Sequence, residues 1–208
     1  MVYSVDIVRV YTVDSMTPRA RVLDAAERLL RAEGIAALST RRVASEMGVT
    51  PMAMYRHFRS KDALVQALVD AGFARWETRL AEAVVAPNPR DKIVNAIAAY
   101  RDFALAEPRY FELMFLVPRP GVPRAPESLR ATPSPSFAAV IGAMHACMAN
   151  GEFASADPSQ TILMVWALAH GLLALHFTGR FGFDEPLFRR RYDDAVRLTL
   201  DRLALRSS

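Results

Sequence analysis

The sequence predicts an all-α fold: a small three-helix head, a long connecting helix, and a larger helical domain behind it. Three observations carry this. Apolar residues recur every three or four positions along most of the chain, which is the period of one helix face. No segment sustains the two-residue alternation of a half-buried strand. Glycine, proline and small hydroxylated residues fall where helices start and stop. With 208 residues, 52% hydrophobic and 23% charged, the chain can bury a core and is not generally disordered.

The first helix opens at Thr17 or Pro18, carries Val22, Ala25, Ala26, Leu29 and Leu30 on one face, and ends at Gly34. Ser39 and Thr40 cap a short second helix whose inner face is Val43, Ala44 and Met47. Gly48 supplies the positive φ of a tight turn, with Val49 an apolar residue inside it. Thr50 caps a third helix that begins with Pro51, where a missing N–H costs nothing. Ser60 caps the fourth and longest, Lys61 to about Val85, with a stripe of Leu64, Ala67 or Leu68, Ala71, Phe73 and Leu80.

Pro87-Asn88-Pro89 interrupts the pattern. Helical segments follow at about 90–106 and 108–116, then at about 136–150, 158–178 and 185–205. Six of the thirteen prolines lie in 117–135, so that stretch is read as a loop. Residues 1–16 alternate apolar and polar only weakly, and Met16-Thr17-Pro18 looks like a natural start. They are expected to be either a disordered leader or the product of a misplaced start codon, and are given no function.

The formal net charge is +4, and its placement matters more than its size. From Thr17 to Asp62 nine bases face five acids, which is +4 for that segment alone; residues 1–16 carry −1 and residues 63–208 carry +1. A module facing a polyanion has this character, and so does a solvated face that happens to be basic. Cys147 is the sole cysteine, which excludes a disulfide framework and fits a reducing cytoplasm. The longest apolar run, Thr161 to Phe177, includes His170 and His176 and reads as a buried helix rather than a membrane span. Asp6, Arg9 and Asp14 argue against a secretory signal. The expectation is a cytoplasmic protein that does not engage a membrane.

Nothing in the spacing suggests catalysis. His145 and Cys147, two apart, face different ways on a helix, and His170 and His176, six apart, are not brought together either. Neither a nucleophile elbow nor a phosphate-binding glycine loop is found. No catalytic residue, cofactor or metal is expected, although histidines from different helices could still converge in space.

The two short helices joined by the Gly48 turn, residues 39–58, meet the requirement of a helix-turn-helix: one helix crosses the DNA backbone and the next lies in the major groove. Tyr55, Arg56 and His57 are expected on the outer face, and small Ala53 lets it approach closely. Val49, Met54 and Phe58 are expected to pack on Val43 and Leu29. A generic helical hairpin accounts for the glycine and the apolar face, but not for Pro51, Tyr55 and Lys61 beside a local charge of +4.

Leu38-Ser39-Thr40-Arg41-Arg42-Val43-Ala44, then Gly48-Val49-Thr50, then Met54-Tyr55-Arg56-His57-Phe58-Arg59-Ser60-Lys61-Asp62-Ala63-Leu64 resemble the signature of the tetracycline-repressor (TetR/AcrR) family. The likeness covers about residues 17–77. By position it implies that Ser39 and Thr40 grip phosphate and that Arg41 reaches a groove edge. Thr50, Met52, Ala53, Tyr55, Arg56 and His57 then form the recognition face, and Tyr55 and Lys61 match positions that hold backbone phosphates. Arg56 is best suited to a guanine, which a guanidinium pairs bidentately. His57 contacts DNA or merely caps its helix, and Met54 and Phe58 are core.

In the second half, Ala99-Tyr100-Arg101-Asp102-Phe103-Ala104, Glu107-Pro108-Arg109-Tyr110-Phe111-Glu112-Leu113-Met114-Phe115 and Trp166-Ala167-Leu168-Ala169-His170-Gly171 resemble the subgroup named for its Trp-His-Gly signature. This implies that residues 90–206 form a regulatory and dimerisation domain, without naming a ligand. Candidate pocket residues are Tyr100, Phe103, Met114, Phe115, Met144, Met148, Trp166 and His170. Such side chains suit an apolar or aromatic effector and suit an ordinary core equally well. Gly171, beside Ala167, Ala174 and Leu175, admits a close helix, so the helices at 158–178 and 185–205 are the dimer candidates. Arg189, Arg190 and Arg191 are read as a solvated helix start.

The reading that follows is a homodimeric regulator, in its simplest form a repressor, that leaves double-stranded operator DNA when an unidentified small molecule binds. The long helix after Ser60 is the expected lever. An activator with the same head, a small-molecule binding module and an enzyme on a helical scaffold are the alternatives.

Overall fold

The computed structural model describes residues 16–118 and 134–204. The expected leader, apart from Met16, and most of the proline-rich loop lie outside the described residues. Among the described residues there are nine α-helices: α1 (Pro18–Glu33), α2 (Thr40–Glu46), α3 (Pro51–Tyr55), α4 (Lys61–Ala83), α5 (Pro89–Ala106), α6 (Pro108–Phe111), α7 (Pro135–Ala149), α8 (Pro158–Phe177) and α9 (Glu185–Leu203). The only extended pairing among the described residues is the bridge between Phe153 and Ala204. Two compact units result: one runs through Phe73 and includes Glu112–Met114, and the other holds the rest from Ala74.

The helices begin where their caps predict. Thr17, Ser39, Thr50 and Ser60 accept from the backbone N–H three residues on, at 3.2, 3.2, 3.4 and 3.1 Å. Asn88, Ser134, Asp157 and Asp184 do the same for α5, α7, α8 and α9. Gly34 ends α1 at φ 81°, and Gly48 follows α2 at φ 66°.

The head core combines Val22, Leu29 and Leu30 of α1, Val43 and Ala44 of α2, Met54 and Phe58, and Leu64 and Leu68 of α4. Met54 and Phe58 are core as expected. Val49 is not: it is 40% exposed. Gly48 N–H donates to Ser45 and Val49 N–H to Ala44, the paired closure of a Schellman motif, and this holds Val49 at the rim of the turn. Phe73, expected on the buried stripe of α4, is also exposed, because Gly72 takes the inward position beside it.

In the second unit, buried residues spaced three or four apart on four helices meet: Ile93, Ile97 and Tyr100 of α5, Val140, Met144 and Cys147 of α7, Ile162, Val165, Ala169 and Leu173 of α8, and Phe188, Tyr192, Val196 and Leu200 of α9. The Tyr192 hydroxyl donates to the Ile97 carbonyl at 3.1 Å. Cys147 is buried while His145 on the same helix is exposed, and burial pushes the Cys147 thiol up to about 11.

Three expectations change here. The helix expected at 108–116 is α-helical only to Phe111 and continues as a π-helical turn, Glu112–Leu116. α8 is not a wholly buried helix: only 28% of its most apolar stretch is buried, and Met164 is 64% exposed. It is also, among the described residues, the one helix long and apolar enough to cross a membrane. Arg189 is half-buried and paired rather than free, since it bonds Asp102 at 2.5 Å and Glu185 at 2.9 Å; Arg190 and Arg191 are exposed.

Candidate nucleic-acid interface and effector site

In the head, local capping decides which side chains face out. α3 has only five residues, so it presents little more than one turn. Met54 and Phe58, four apart, turn inward; Met52, Tyr55 and Arg56 are exposed. Ser39 and Thr40 at the start of α2 are half-buried, while Arg41 and Thr50 are exposed. Ala53 and His57 are set back from this face: both are half-buried and, with Arg21, Met47 and Val49, line a cleft of about 140 Å³ in the head.

The positive charge divides into two groups. Arg28 bonds Asp24 and lies 3.7 Å from Glu46, Arg31 bonds Glu27 at 2.9 Å, and Arg42 bonds Glu33 at 2.5 Å. Arg19 lies over the Phe58 ring at 4.7 Å. Among the described residues, Arg21, Arg41, Arg56, Arg59 and Lys61 form no ion pair, and all five are exposed. The unneutralised excess therefore sits on and beside the outer face of α2 and α3, where a low-dielectric surface concentrates its field.

In the second unit the centre is Tyr100. Its ring centroid lies 5.4 Å from Trp76, 5.6 Å from Phe111, 5.5 Å from Phe115 and 6.3 Å from Trp166. Its hydroxyl is 2.9 Å from Nδ1 of His170, whose ring lies 5.4 Å from Trp166. Burial lowers the His170 pKa and raises that of Tyr100, so both are neutral near pH 7. Four of the eight expected pocket residues are thus joined: Tyr100, Phe115, Trp166 and His170. Phe103 is one step removed, packed on Trp76 at 5.7 Å with the Arg79 guanidinium 5.8 Å from its ring. Met144 is fully buried in the same core and Met148 packs against it. Met114 is a correction: it is buried, but with Glu112 and Leu113 it belongs to the other unit.

Sequence reasoning missed Trp76 and Phe111 as members of this cluster, and Phe111 lies 5.4 Å from Phe177. Trp76 is four residues before Leu80, so the α4 stripe contained the signal. It also missed an ionic network. Arg101, only 8% exposed, bonds Asp193 and lies 2.9 Å from Asp102, which also accepts from Arg189. Burial alone would raise the Asp102 pKa; the two guanidinium groups outweigh it and hold the carboxyl below its ordinary value. Nearby, Arg90, Arg101 and Arg197 line a groove of about 300 Å³ floored by Val94 and Val196.

The exposed side of α8 carries Met164, Ala167, Gly171 and Leu175, spaced three or four apart on one face. Among the described residues, no atom beyond its own helical turn lies within 4 Å of where a Gly171 Cβ would sit.

Comparison with known proteins agrees with this geometry. Residues 22–68 match the family described as bacterial regulatory proteins, tetR family, and residues 93–203 match the tetracyclin repressor-like, C-terminal domain. The second description does not distinguish a Trp-His-Gly subgroup. The HTH-type transcriptional regulator Rv1816 of Mycobacterium tuberculosis is 28% identical over 141 residues, which is 66% of this chain. Its matched part is 60% of its length, so the chain spans less than two thirds of that relative. The tetracycline repressor protein class A from transposon 1721 of Escherichia coli is 35% identical over 100 residues, 48% of this chain and 41% of the relative. A solved structure of a protein with unknown function from Rhodococcus sp. RHA1 superposes with a TM-score of 0.70 at 26% identity, covering 91% of this chain and 97% of that one. A tetR-family regulatory protein from Rhodococcus RHA1 shares the fold, with a TM-score of 0.61 at 18% identity over 91% of this chain and 98% of that one. Since the carboxy-terminal match alone spans more than half of the 208 residues and the amino-terminal match covers the helix-turn-helix, the chain belongs to the tetracycline-repressor family of bacterial regulatory proteins.

Proposed function

We propose that this protein is a ligand-responsive transcriptional regulator that binds double-stranded operator DNA as a homodimer and acts as a repressor in the cytoplasm. The observation that carries the reading is the charge on and beside the outer face of α2 and α3, where Arg41, Arg56, Arg59 and Lys61 stand exposed without acidic partners among the described residues. Lys61, Tyr55, Ser39 and Thr40 hold phosphates, which sets position, and Arg56 reads a base edge, which sets sequence. Arg41, Thr50 and Met52 complete the interface, with Ala53 and His57 set back behind them. Repression rather than activation is supported by the relative named as a tetracycline repressor.

The dimer forms through α8 and α9. The exposed apolar side of α8 supports this, because water-facing Met164, Ala167 and Leu175 gain by being covered and Gly171 permits close approach. The effector is a small apolar or aromatic molecule that enters the rings around Tyr100 and His170. It need only bind the DNA-incompatible dimer better by about 1–3 kcal/mol, the usual range of coupling between sites. α4, which carries the chain from Lys61 to Ala83, transmits the change. The role is regulatory, not catalytic.

The test is fluorescence anisotropy of the purified protein on its own upstream intergenic DNA across a salt series. Binding well above scrambled DNA and falling steeply with salt supports the reading. Absence of binding to any DNA at low salt overturns it and leaves a small-molecule binding module.

A further inference from the structure

We propose that Met52 reads the C5 methyl group of a thymine in each operator half-site and is a specificity-determining residue. This rests on the DNA-binding reading above. The observation is an apolar side chain placed where only a partner can use it. Met52 is 73% exposed, the most exposed large apolar residue of the helix-turn-helix. The inward positions of α3 are already filled by Met54 and Phe58, which are almost fully buried. Solvent alone gives no reason for a thioether there, and fold stability gives none either.

Position supplies the chemistry. Met52 is the second residue of α3, directly after Pro51, and the first residues of a recognition helix are those that face base edges. The pyrimidine methyl of thymine is the apolar feature of the major groove, and apolar side chains recognise it. Small Ala53 beside Met52 leaves the helix room to approach. An unbranched thioether adapts its shape to a methyl group without a fixed hydrogen-bond geometry. Arg56 is four residues on, hence on the same side of the helix and about 6 Å further along its axis. Base pairs are about 3.4 Å apart, so the thymine lies about one to two pairs from the base that Arg56 reads.

The experiment begins with selection from a randomised duplex library using the full-length protein. Each thymine of the selected duplex is then replaced singly by deoxyuridine, which removes only the methyl. One thymine per half-site is expected to lose about fourfold in affinity on replacement, the equivalent of about 0.8 kcal/mol for one buried methyl-sized group. Met52→Ala should bind both duplexes alike, and Met52→Leu should keep the discrimination. Because Met52 is exposed, both variants should melt like the wild type. If a sequence is selected but no thymine is methyl-sensitive, or if Met52→Ala remains as sensitive as the wild type, the assignment is overturned while operator binding stands. If the selection enriches no sequence at all, the operator reading falls and this inference falls with it.

Discussion

The hydroxyl of Tyr100 and Nδ1 of His170 meet at 2.9 Å, tying α5 to α8 inside a cage of aromatic rings. The two residues are seventy positions apart in the chain, and each is the other's hydrogen-bond partner in a site walled by Phe111, Phe115 and Trp166. A polar pair in an apolar box fixes the register of the two helices, because either group left alone would be desolvated without compensation. The same pair is what an entering aromatic molecule with one hydrogen-bonding group would have to part.

Tyr100→Phe removes the hydroxyl and leaves Nδ1 of His170 without its partner. The expected loss of stability is about 1–3 kcal/mol, the penalty for an orphaned buried polar group. Urea unfolding should show a lower midpoint with an unchanged slope. An unshifted midpoint would mean that water or another side chain serves His170 as well.

The pH dependence follows from the direction of the His170 shift. Burial holds its pKa below the ordinary 6.5, so below that pH the unfolded chain takes up a proton that the folded chain refuses. Its contribution is complete above about pH 6.5 and is lost as the pH falls towards the folded value. His176 acts in the same direction through burial, with Glu185 partly offsetting it. Asp102 also carries a depressed pKa, but its loss sets in lower, below its ordinary 3.8. The melting temperature should therefore fall between about pH 7.5 and about pH 5.5, and His170→Gln should reduce that fall. A variant with the wild-type pH profile would remove His170 from the account.

The head was largely legible because its signals are short-range. A hydroxyl at Ser39 or Thr50, a proline at position 51 and a glycine at position 48 each act within a few residues, so sequence spacing determines their geometry. Val49 escaped because its fate depends on how α2 is closed, not on its own apolar character. The second half was less legible because its key partners are far apart. Asp102 meets Arg189 across 87 positions and Arg101 meets Asp193 across 92, and no periodicity encodes such pairings. Periodicity also cannot separate a face that packs inside the chain from one left for another surface. α8 is apolar on both sides, with Leu173 buried and Leu175 exposed.

On DNA, Arg56 and Lys61 should fail differently. Arg56→Ala is expected to cost about 1–3 kcal/mol on the operator and to relax the sequence preference at one position per half-site. Lys61→Ala should weaken all duplexes nearly uniformly and reduce the slope of log affinity against log salt by about 1 per head. Titrations on operator and scrambled duplexes at several salt concentrations separate the two. Equal losses on both duplexes for Arg56→Ala would assign it to phosphate instead of a base.

The last prediction concerns α8. Exposed Met164, Ala167 and Leu175 form one apolar line with half-buried Gly171, and a carboxylate placed there would have to be desolvated between two copies of the helix. Met164→Glu and Leu175→Glu are therefore expected to shift sedimentation from dimer to monomer. Each side chain is exposed in the single chain, so far-ultraviolet circular dichroism should stay helical. Operator affinity should fall along with the dimer, because one head alone contacts only one half-site. Gly171→Ala tests the same face by bulk instead of charge: among the described residues the space at that Cβ is open, so it is tolerated in a monomer and crowds a close helix contact. Dimers that persist in all three variants would place the interface elsewhere on the second unit.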